Sequence, residues 1–302
     1  VDIHPSRSDM ARRRTVPLAG DMTQNPILVV GGTGITGRRV AARLTAAGHP
    51  VRVASRSAAR PFDWHDPDTW SAALAGVRRL YLVPLDGTRL TGPFLRRAAE
   101  AGVERVVLLS GRGVDDPDYL PPGHPAGIVH VTGEEALRAS GLTWTVIRPS
   151  WFSQNFSEGY LGDWVRSGDL RIPGGEASAA FVDAEDIAAV AVAALTEDGH
   201  QGAVYELSGP ASLTLAEAMA EISLASGKQV RYTPLTVDEF VTELVADGWN
   251  ADEAREFGLA LTPLARGLDA RLSDGVRRAL GREPRSFAAF AADAAAAGAW
   301  RA

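Results

Sequence analysis

The sequence predicts an α/β protein, a doubly wound parallel sheet carrying a smaller C-terminal substrate lobe. Three observations carry that prediction. Short apolar runs rich in β-branched residues alternate with stretches of helical periodicity as far as Pro149, the pattern of repeated βαβ units. A glycine-rich segment joins the first apolar run to the first helical stretch. Beyond Pro149 the alternation turns irregular, with breaks at Pro173-Gly174-Gly175, Gly209-Pro210 and Pro263.

Taken in order, Ile27–Val30 reads as a short buried strand and 34–47 as the helix that follows, with Gly48 as its C-cap. Val51–Ala54 is the second strand. A helical stretch over Asp68–Leu74 precedes a strand at 80–83, and a helix over 92–101 precedes the strand Arg105–Leu109. Helix 128–139 then leads to a strand at 143–147. The chain closes with an alanine-rich helix over 286–300, whose Phe287, Phe290 and Trp300 form a stripe suited to core packing. The expected organisation is a poorly ordered extension over 1–26, a dinucleotide-binding core over 27–150 and a region over 151–302 that is mainly substrate lobe. Part of that last region, around 181–210, is expected to return to the core.

The 302 residues suffice for one large domain or two smaller ones. A net charge of −6 argues against nucleic acid as a partner. No apolar run reaches the roughly 18 residues of a membrane helix, so no membrane partner is expected. The N-terminal residues lack the apolar stretch of a secretory signal, and the expected location is cytoplasmic. Cysteine is absent, which excludes thiol nucleophiles, disulfides and cysteine metal sites. The basic residues are thirty arginines and a single lysine, Lys228. A Walker A loop, a Schiff base elsewhere in the chain and a Tyr-x-x-x-Lys dyad are therefore excluded.

The strongest local signal is Gly31-Gly32-Thr33-Gly34-Ile35-Thr36-Gly37, which closes a buried strand and opens a helix. That context is the one a dinucleotide fingerprint requires, and it makes the sheet one of Rossmann type. Gly32 is expected to permit the tight turn, Gly34 the approach of a pyrophosphate, and Gly37 close packing of helix on strand. Free N–H groups at the helix N-terminus then face the phosphates. At the end of the second strand, where an NAD-selective site places an acid, the chain has Ala54-Ser55-Arg56-Ser57. Arg56 suits a 2′-phosphate and Ser55 or Ser57 can donate to it, so the expected cofactor is NADP(H). A solvated surface arginine is the alternative.

The spacing Gly-Gly-x-Gly-x-x-Gly resembles the extended or atypical short-chain dehydrogenase/reductases. Val106-Val107-Leu108-Leu109-Ser110 looks like the strand that ends in their active-site serine. Gly141-Leu142-Thr143-Trp144-Thr145-Val146-Ile147-Arg148-Pro149 and Phe181-Val182-Asp183-Ala184-Glu185-Asp186-Ile187-Ala188 resemble segments of the NmrA-like members. Within these, Phe62-Asp63-Trp64-His65-Asp66-Pro67 and Leu280-Gly281-Arg282-Glu283-Pro284 look most similar to the group that contains fungal ergot-alkaloid reductases of the festuclavine dehydrogenase type. The resemblance implies that Asp63 and Trp64 line the adenine end and that Val83 and Pro84 lie under the cofactor. Pro149 and Ser150 would follow at its nicotinamide end.

Short-chain dehydrogenases ordinarily use a tyrosine acid with a lysine four residues later. Counting back from Arg148-Pro149, those places hold Ala126 and His130, and Leu224 precedes Lys228 by four. Hydride transfer to an iminium, a quinone or a similar conjugated acceptor needs little or no help from such an acid. The candidate catalytic residues are His130 in the vacant lysine place, also a candidate for the nicotinamide ribose, Ser110 as an orienting donor also touching cofactor, and Tyr119 as a reserve proton donor. Each has a structural alternative: a helix-face histidine, a strand-end cap, a loop tyrosine. Asp183 reads as a helix N-cap rather than an acid. Trp151, Phe152, Asn155 and Trp164 are the candidate substrate contacts and suit a flat or cationic small molecule, with core packing as the alternative for the aromatics. His130 and Glu134 lack a third ligand, so no metal is expected. The chain reads as an NADPH-dependent reductase, monomeric or homodimeric. The rival is a non-catalytic NADP(H)-sensing regulator of the NmrA type.

Overall fold

The computed structural model describes residues 25–119 and 124–301. The expected extension over 1–26 lies, up to residue 24, outside the described residues. The first half alternates strands and helices: β1 (Ile27–Val30), α1 (Ile35–Ala46), β2 (Val51–Ala54), α2 (Asp68–Leu74), β3 (Arg79–Leu82), α3 (Thr91–Glu100), β4 (Arg105–Leu109), α4 (Pro125–Ala139) and β5 (Thr143–Pro149). There follow α5 (Asn155–Glu158), α6 (Tyr160–Ser167), β6 (Asp169–Pro173), β7 (Ser178–Ala179), α7 (Ala184–Thr196), β8 (Ala203–Leu207), β9 (Leu213–Thr214) and α8 (Leu215–Ser226). The remainder is β10 (Arg231–Leu235), α9 (Val237–Ala246), α10 (Ala251–Ala260), α11 (Thr262–Ala265), α12 (Gly275–Leu280) and α13 (Phe287–Ala296).

Six strands form one parallel sheet in the order β2-β1-β3-β4-β5-β8. Alternate residues of each strand point to opposite faces, and the two faces build separate cores. Ile27, Val29, Tyr81, Val107 and Ile147 pack with Val40 and Leu44 of α1 and with Ile187 and Ala191 of α7. Leu28, Val30, Leu80, Leu108 and Val146 pack with Trp70 of α2, Phe94 of α3 and Leu137 of α4. Because both faces are covered, the strands are apolar throughout rather than alternating. Strand order reverses at β1, since the chain runs out to β2 and crosses back to β3. That switch opens a crevice at the carboxyl ends of β1 and β3, where ligands of open α/β sheets bind.

β5 runs two residues past the expected 143–147, because Arg148 and Pro149 stay in register with Glu206 and Leu207 of β8. Pro149, with no N–H to give to the ladder, is the strand's last residue. α4 begins at Pro125, three residues before the expected start, and α13 stops at Ala296 rather than 300, where Gly298 adopts φ +80°. The lobe has its own core of Phe156, Phe181, Phe240, Phe287, Phe290 and Trp300, braced by the small parallel pair β6–β10. The Trp300 indole N–H donates to the Phe156 carbonyl at 2.8 Å, so the large ring is buried with its polar atom satisfied.

Candidate functional site

The glycine segment turns sharply as β1 ends. Gly31 has φ +79°, and a Cβ on it would lie 2.8 Å from the Val83 Cβ beyond β3. The left-handed turn thus falls on Gly31 rather than on Gly32, whose lack of a side chain instead admits the Val53 methyl, 2.6 Å from where its Cβ would be. A Cβ on Gly37 would overlap the Gly31 carbonyl, so α1 can start this close to the sheet only with glycine there. Gly34 caps α1 through its backbone alone, with no side-chain cap and no acid in the first turn. Thr33 and Gly34 are exposed at the tip, and Ile35 is half-buried. Thr36 is buried and accepts the Tyr81 hydroxyl at 3.0 Å, leaving its backbone N–H as its means of meeting a phosphate. A bare helix N-terminus beside a chain reversal is an anion cradle.

At the end of β2, Ser55 and Ser57 bond through their hydroxyls at 3.0 Å, and Arg56 stands exposed between them. Asp63 is held in a self-bonded turn: its carboxylate accepts from the His65 N–H at 2.9 Å and its carbonyl from the Trp70 indole at 2.9 Å. Trp64 lies edge-on to Phe62 and Phe94 at 5.4 and 5.2 Å, so the turn rests on a cluster of rings. Beyond β3, Val83 is half-buried against the glycine turn and Pro84 is buried.

At the carboxyl ends of β4 and β5 a cavity of about 290 Å³ opens. His130, Tyr119, Pro149, Ser150, Trp151, Phe152 and Asn155 line it, with Arg112 and Ala260. Residues separated by up to 148 positions in the sequence, Arg112 and Ala260, thus converge on one hollow. Trp164 does not line it. That ring packs on Phe240 at 5.7 Å in the lobe core. Ser150 is fixed by its N–H to the Leu207 carbonyl at 2.8 Å and by its hydroxyl to the Ala180 carbonyl. Trp151 and Phe152 are positioned by a backbone bridge to Val182.

Behind the cavity lies a network that single-residue reading does not find. Ser110 donates its hydroxyl to Glu134 at 2.6 Å, and Glu134 takes both the Nε and Nη2 of Arg148 at 2.8 Å and a further bond from Arg138 at 2.7 Å. Arg148 also reaches Asp115 at 2.8 Å. Burial alone would raise the Glu134 carboxyl. The bonds and charges of Arg148, Ser110 and Arg138 outweigh it and hold the group below the usual carboxylate range. Ser110 therefore spends its proton inward. Glu134 sits one turn from His130, yet faces this network, and among the described residues no cluster of His, Asp and Glu could hold a metal ion.

His130 is depressed below the usual histidine value by burial, which the charges of Asp86 and Glu134 only partly offset. Its imidazole is neutral near pH 7, and Nδ1 is buried without a partner. The group is a hydrogen-bonding wall of the cavity rather than a stored proton. Tyr119 donates to Asp269 at 2.6 Å, and its phenol is pushed up by burial and by that carboxyl. Asp183 is buried and caps α7 by accepting from the Glu185 N–H at 2.9 Å, while holding Gln154 and Arg285. Lys228 is far along the chain in the lobe, its ammonium on the Arg166 carbonyl.

The fold and the glycine cradle define a protein that binds a nicotinamide dinucleotide. Residues 31–198 match the family described as NAD(P)H-binding, and the chain belongs to that family. It is 35% identical to the NAD(P)H azoreductase of Xenophilus azovorans over 90% of this chain and 99% of the relative. It is 31% identical to the agroclavine dehydrogenase of Claviceps fusiformis, covering 88% and 96% of the two chains. Among solved structures, an NADPH-dependent quinone oxidoreductase of Escherichia coli superposes with TM-score 0.71 at 26% identity, covering 88% of this chain and 98% of that one. The protein is an NAD(P)H-dependent oxidoreductase. No helix of the described residues is long and apolar enough to cross a membrane.

Proposed function

We propose that the protein is an NADPH-dependent reductase that passes a hydride to a quinone, azo, iminium or similar conjugated acceptor without a tyrosine–lysine dyad. The observation that carries this reading is the cavity at the carboxyl edge of β4 and β5, walled by Trp151, Phe152 and the neutral His130. It lies on the same sheet edge as the glycine cradle, so a dinucleotide laid along that edge ends beside it. When bound, the reduced nicotinamide supplies the hydride. The protein's own part is to stack a flat acceptor against aromatic rings, to orient it and to keep water out.

Local charge refines the acceptor. Arg112 lines the cavity, and no Asp or Glu does among the described residues. A neutral or anionic acceptor such as a quinone or a sulfonated azo compound fits that wall better than an iminium cation. The names of the azoreductase and quinone oxidoreductase relatives point the same way. Preference for NADPH rests on Arg56, exposed at the end of β2 where a 2′-phosphate would lie.

The test is oxidation of NADPH in the presence of quinone, azo and iminium acceptors, repeated with Arg56→Ala and His130→Ala. Turnover is expected with the first two acceptor classes. Arg56→Ala should weaken NADPH binding by about tenfold or more, the worth of one charge-assisted contact, and leave NADH nearly unaffected. His130→Ala should raise KM for the acceptor more than KM for NADPH. Tight NADPH binding without oxidation by any acceptor would favour the cofactor-sensing alternative.

A further inference from the structure

We propose that Asp269 holds a proton in the resting protein and delivers it through Tyr119 to the acceptor after hydride transfer. The inference rests on the reductase reading above and adds to it the source of the proton. Tyr119 lines the cavity, and its hydroxyl oxygen lies 2.6 Å from Asp269 Oδ1. Asp269 itself has 0% exposure, and its second oxygen is buried with no partner.

A carboxylate in such a place should be ionised only if a cation pairs with it. None does among the described residues. Arg112, the neighbouring cation, turns its Nη1 to two backbone carbonyls, that of Arg271 at 2.6 Å and that of Asp269 at 3.3 Å, and reaches the carboxyl group through its charge without a direct bond. Burial raises the Asp269 carboxyl, and the Tyr119 bond and the Arg112 charge only partly oppose it. A buried carboxylate with no cation bonded to it is costly, and a neutral carboxyl group avoids that cost.

The tyrosine is held for the task. Gly113 has φ +67°, and a Cβ there would overlap the Tyr119 ring, so the ring lies flat on bare backbone. Arg266 fixes the same loop from the other side, donating to the Asp118 carbonyl at 2.7 Å. With the Asp269 proton on Oδ1, the bond that Tyr119 donates to that oxygen reverses, the carboxyl O–H donates to the Tyr119 oxygen, and the Tyr119 O–H is released to the cavity.

A C=O or N=N acceptor that gains a hydride on one atom keeps the former π pair on the other as a negative charge. The Tyr119 O–H bond breaks and its proton goes to that atom. The Asp269 proton moves to the tyrosine oxygen, and the carboxylate regains a proton from water when product leaves. One hydride from the reduced nicotinamide and one proton from solvent are consumed per turnover. A triarylmethyl cation, by contrast, is complete once the hydride arrives.

Two measurements test this. The first is infrared spectroscopy of the protein without cofactor at pH 7, as a difference between wild type and Asp269→Asn. A C=O band of a protonated carboxyl group, present in wild type and absent in the variant, is expected; absence of the band from wild type would overturn the proposal. The second compares the rate on an azo or quinone acceptor with the rate on a sulfonated triarylmethane dye. Asp269→Asn and Tyr119→Phe should each lower that ratio by about a hundredfold or more, the low end for losing a general acid. The solvent deuterium effect on azo reduction should shrink with them. Equal losses on both acceptors would assign the pair a structural role and overturn the proposal. Failure of wild type to oxidise NADPH with any acceptor would instead remove the reductase reading, and the infrared arm would still judge the carboxyl.

Discussion

The two halves of the molecule treat their helix ends differently. In the lobe, α8, α9, α10 and α13 all start on a side chain that accepts a backbone N–H, from Thr214, Thr236, Asn250 and Ser286 respectively. α8 and α9 go further and carry reciprocal capping boxes with Glu217 and Glu239. In the sheet half, α1 starts at Gly34 and α3 at Leu90, and neither has a side-chain cap. For α3 the omission is softened by Pro93, which has no N–H to satisfy. α1 has no such relief. A missing cap costs about 1 kcal/mol in stability, and the lobe gives no sign that this chain lacks the residues to supply one. The difference teaches that α1 is left open for a ligand, while these four lobe helices, like α7 on the sheet with its Asp183 cap, close upon themselves; α6 and α11 have no side-chain cap and lie buried in the lobe core.

The comparison can be broken at several strengths. The largest effect on stability should come from the lobe core. Phe156 is fully buried, edge-on to Phe181 and Phe287 at 5.2 and 5.6 Å. Phe156→Ala should cost roughly 3–5 kcal/mol in denaturant unfolding, the usual price of removing a core ring. If the halves divide labour as argued, NADPH affinity of the folded fraction should change little.

Next in size is the cradle. Gly37→Val would drive a branched side chain into the Gly31 carbonyl, and it should weaken NADPH binding by about a hundredfold or more, near 2.7 kcal/mol, read by fluorescence titration. Retained affinity would show that the turn is structural only.

Acid exposes the network behind the cavity. Glu134 has its carboxyl depressed in the folded state, so its stabilisation is present above the unfolded value near 4.3 and is lost as pH falls through the lower folded value. Glu134→Gln should therefore flatten the stability loss below about pH 4, measured by urea midpoints across pH. The smallest effect is expected at a lobe cap. Thr236→Ala should cost about 1 kcal/mol in stability with no change in NADPH affinity, since its hydroxyl serves only Glu239.

Much of the sheet was legible because its signals are local. Four apolar residues in a row at 27–30, bounded by Pro26 and Gly31, can be little other than a strand buried on both faces, and that is how they sit. The turn was legible as a motif but not in its detail, since only geometry distinguishes the residue that needs a positive φ, Gly31, from the one that needs room, Gly32. The lobe was less readable, because the pairing of 169–173 with 231–235 joins segments that carry no shared local signal. At the site, the segment 149–155 was found by its aromatics and its place after β5. Asp269 was not, because it meets Tyr119 across 150 positions of chain and sits in an unremarkable loop. Trp164 shows the converse. Its amphipathic setting is the same whether the ring walls a cavity or fills a core, and here it packs on Phe240.

The most direct test of the division between an open cradle and an acceptor cavity is a single turnover. Protein loaded with stoichiometric NADPH is mixed rapidly with a quinone, and the reduced nicotinamide absorbance is followed. The account predicts a full bleach in one phase, slowed when deuterium replaces the transferred hydrogen. NADPH that binds tightly and keeps its absorbance through every acceptor tried would contradict it.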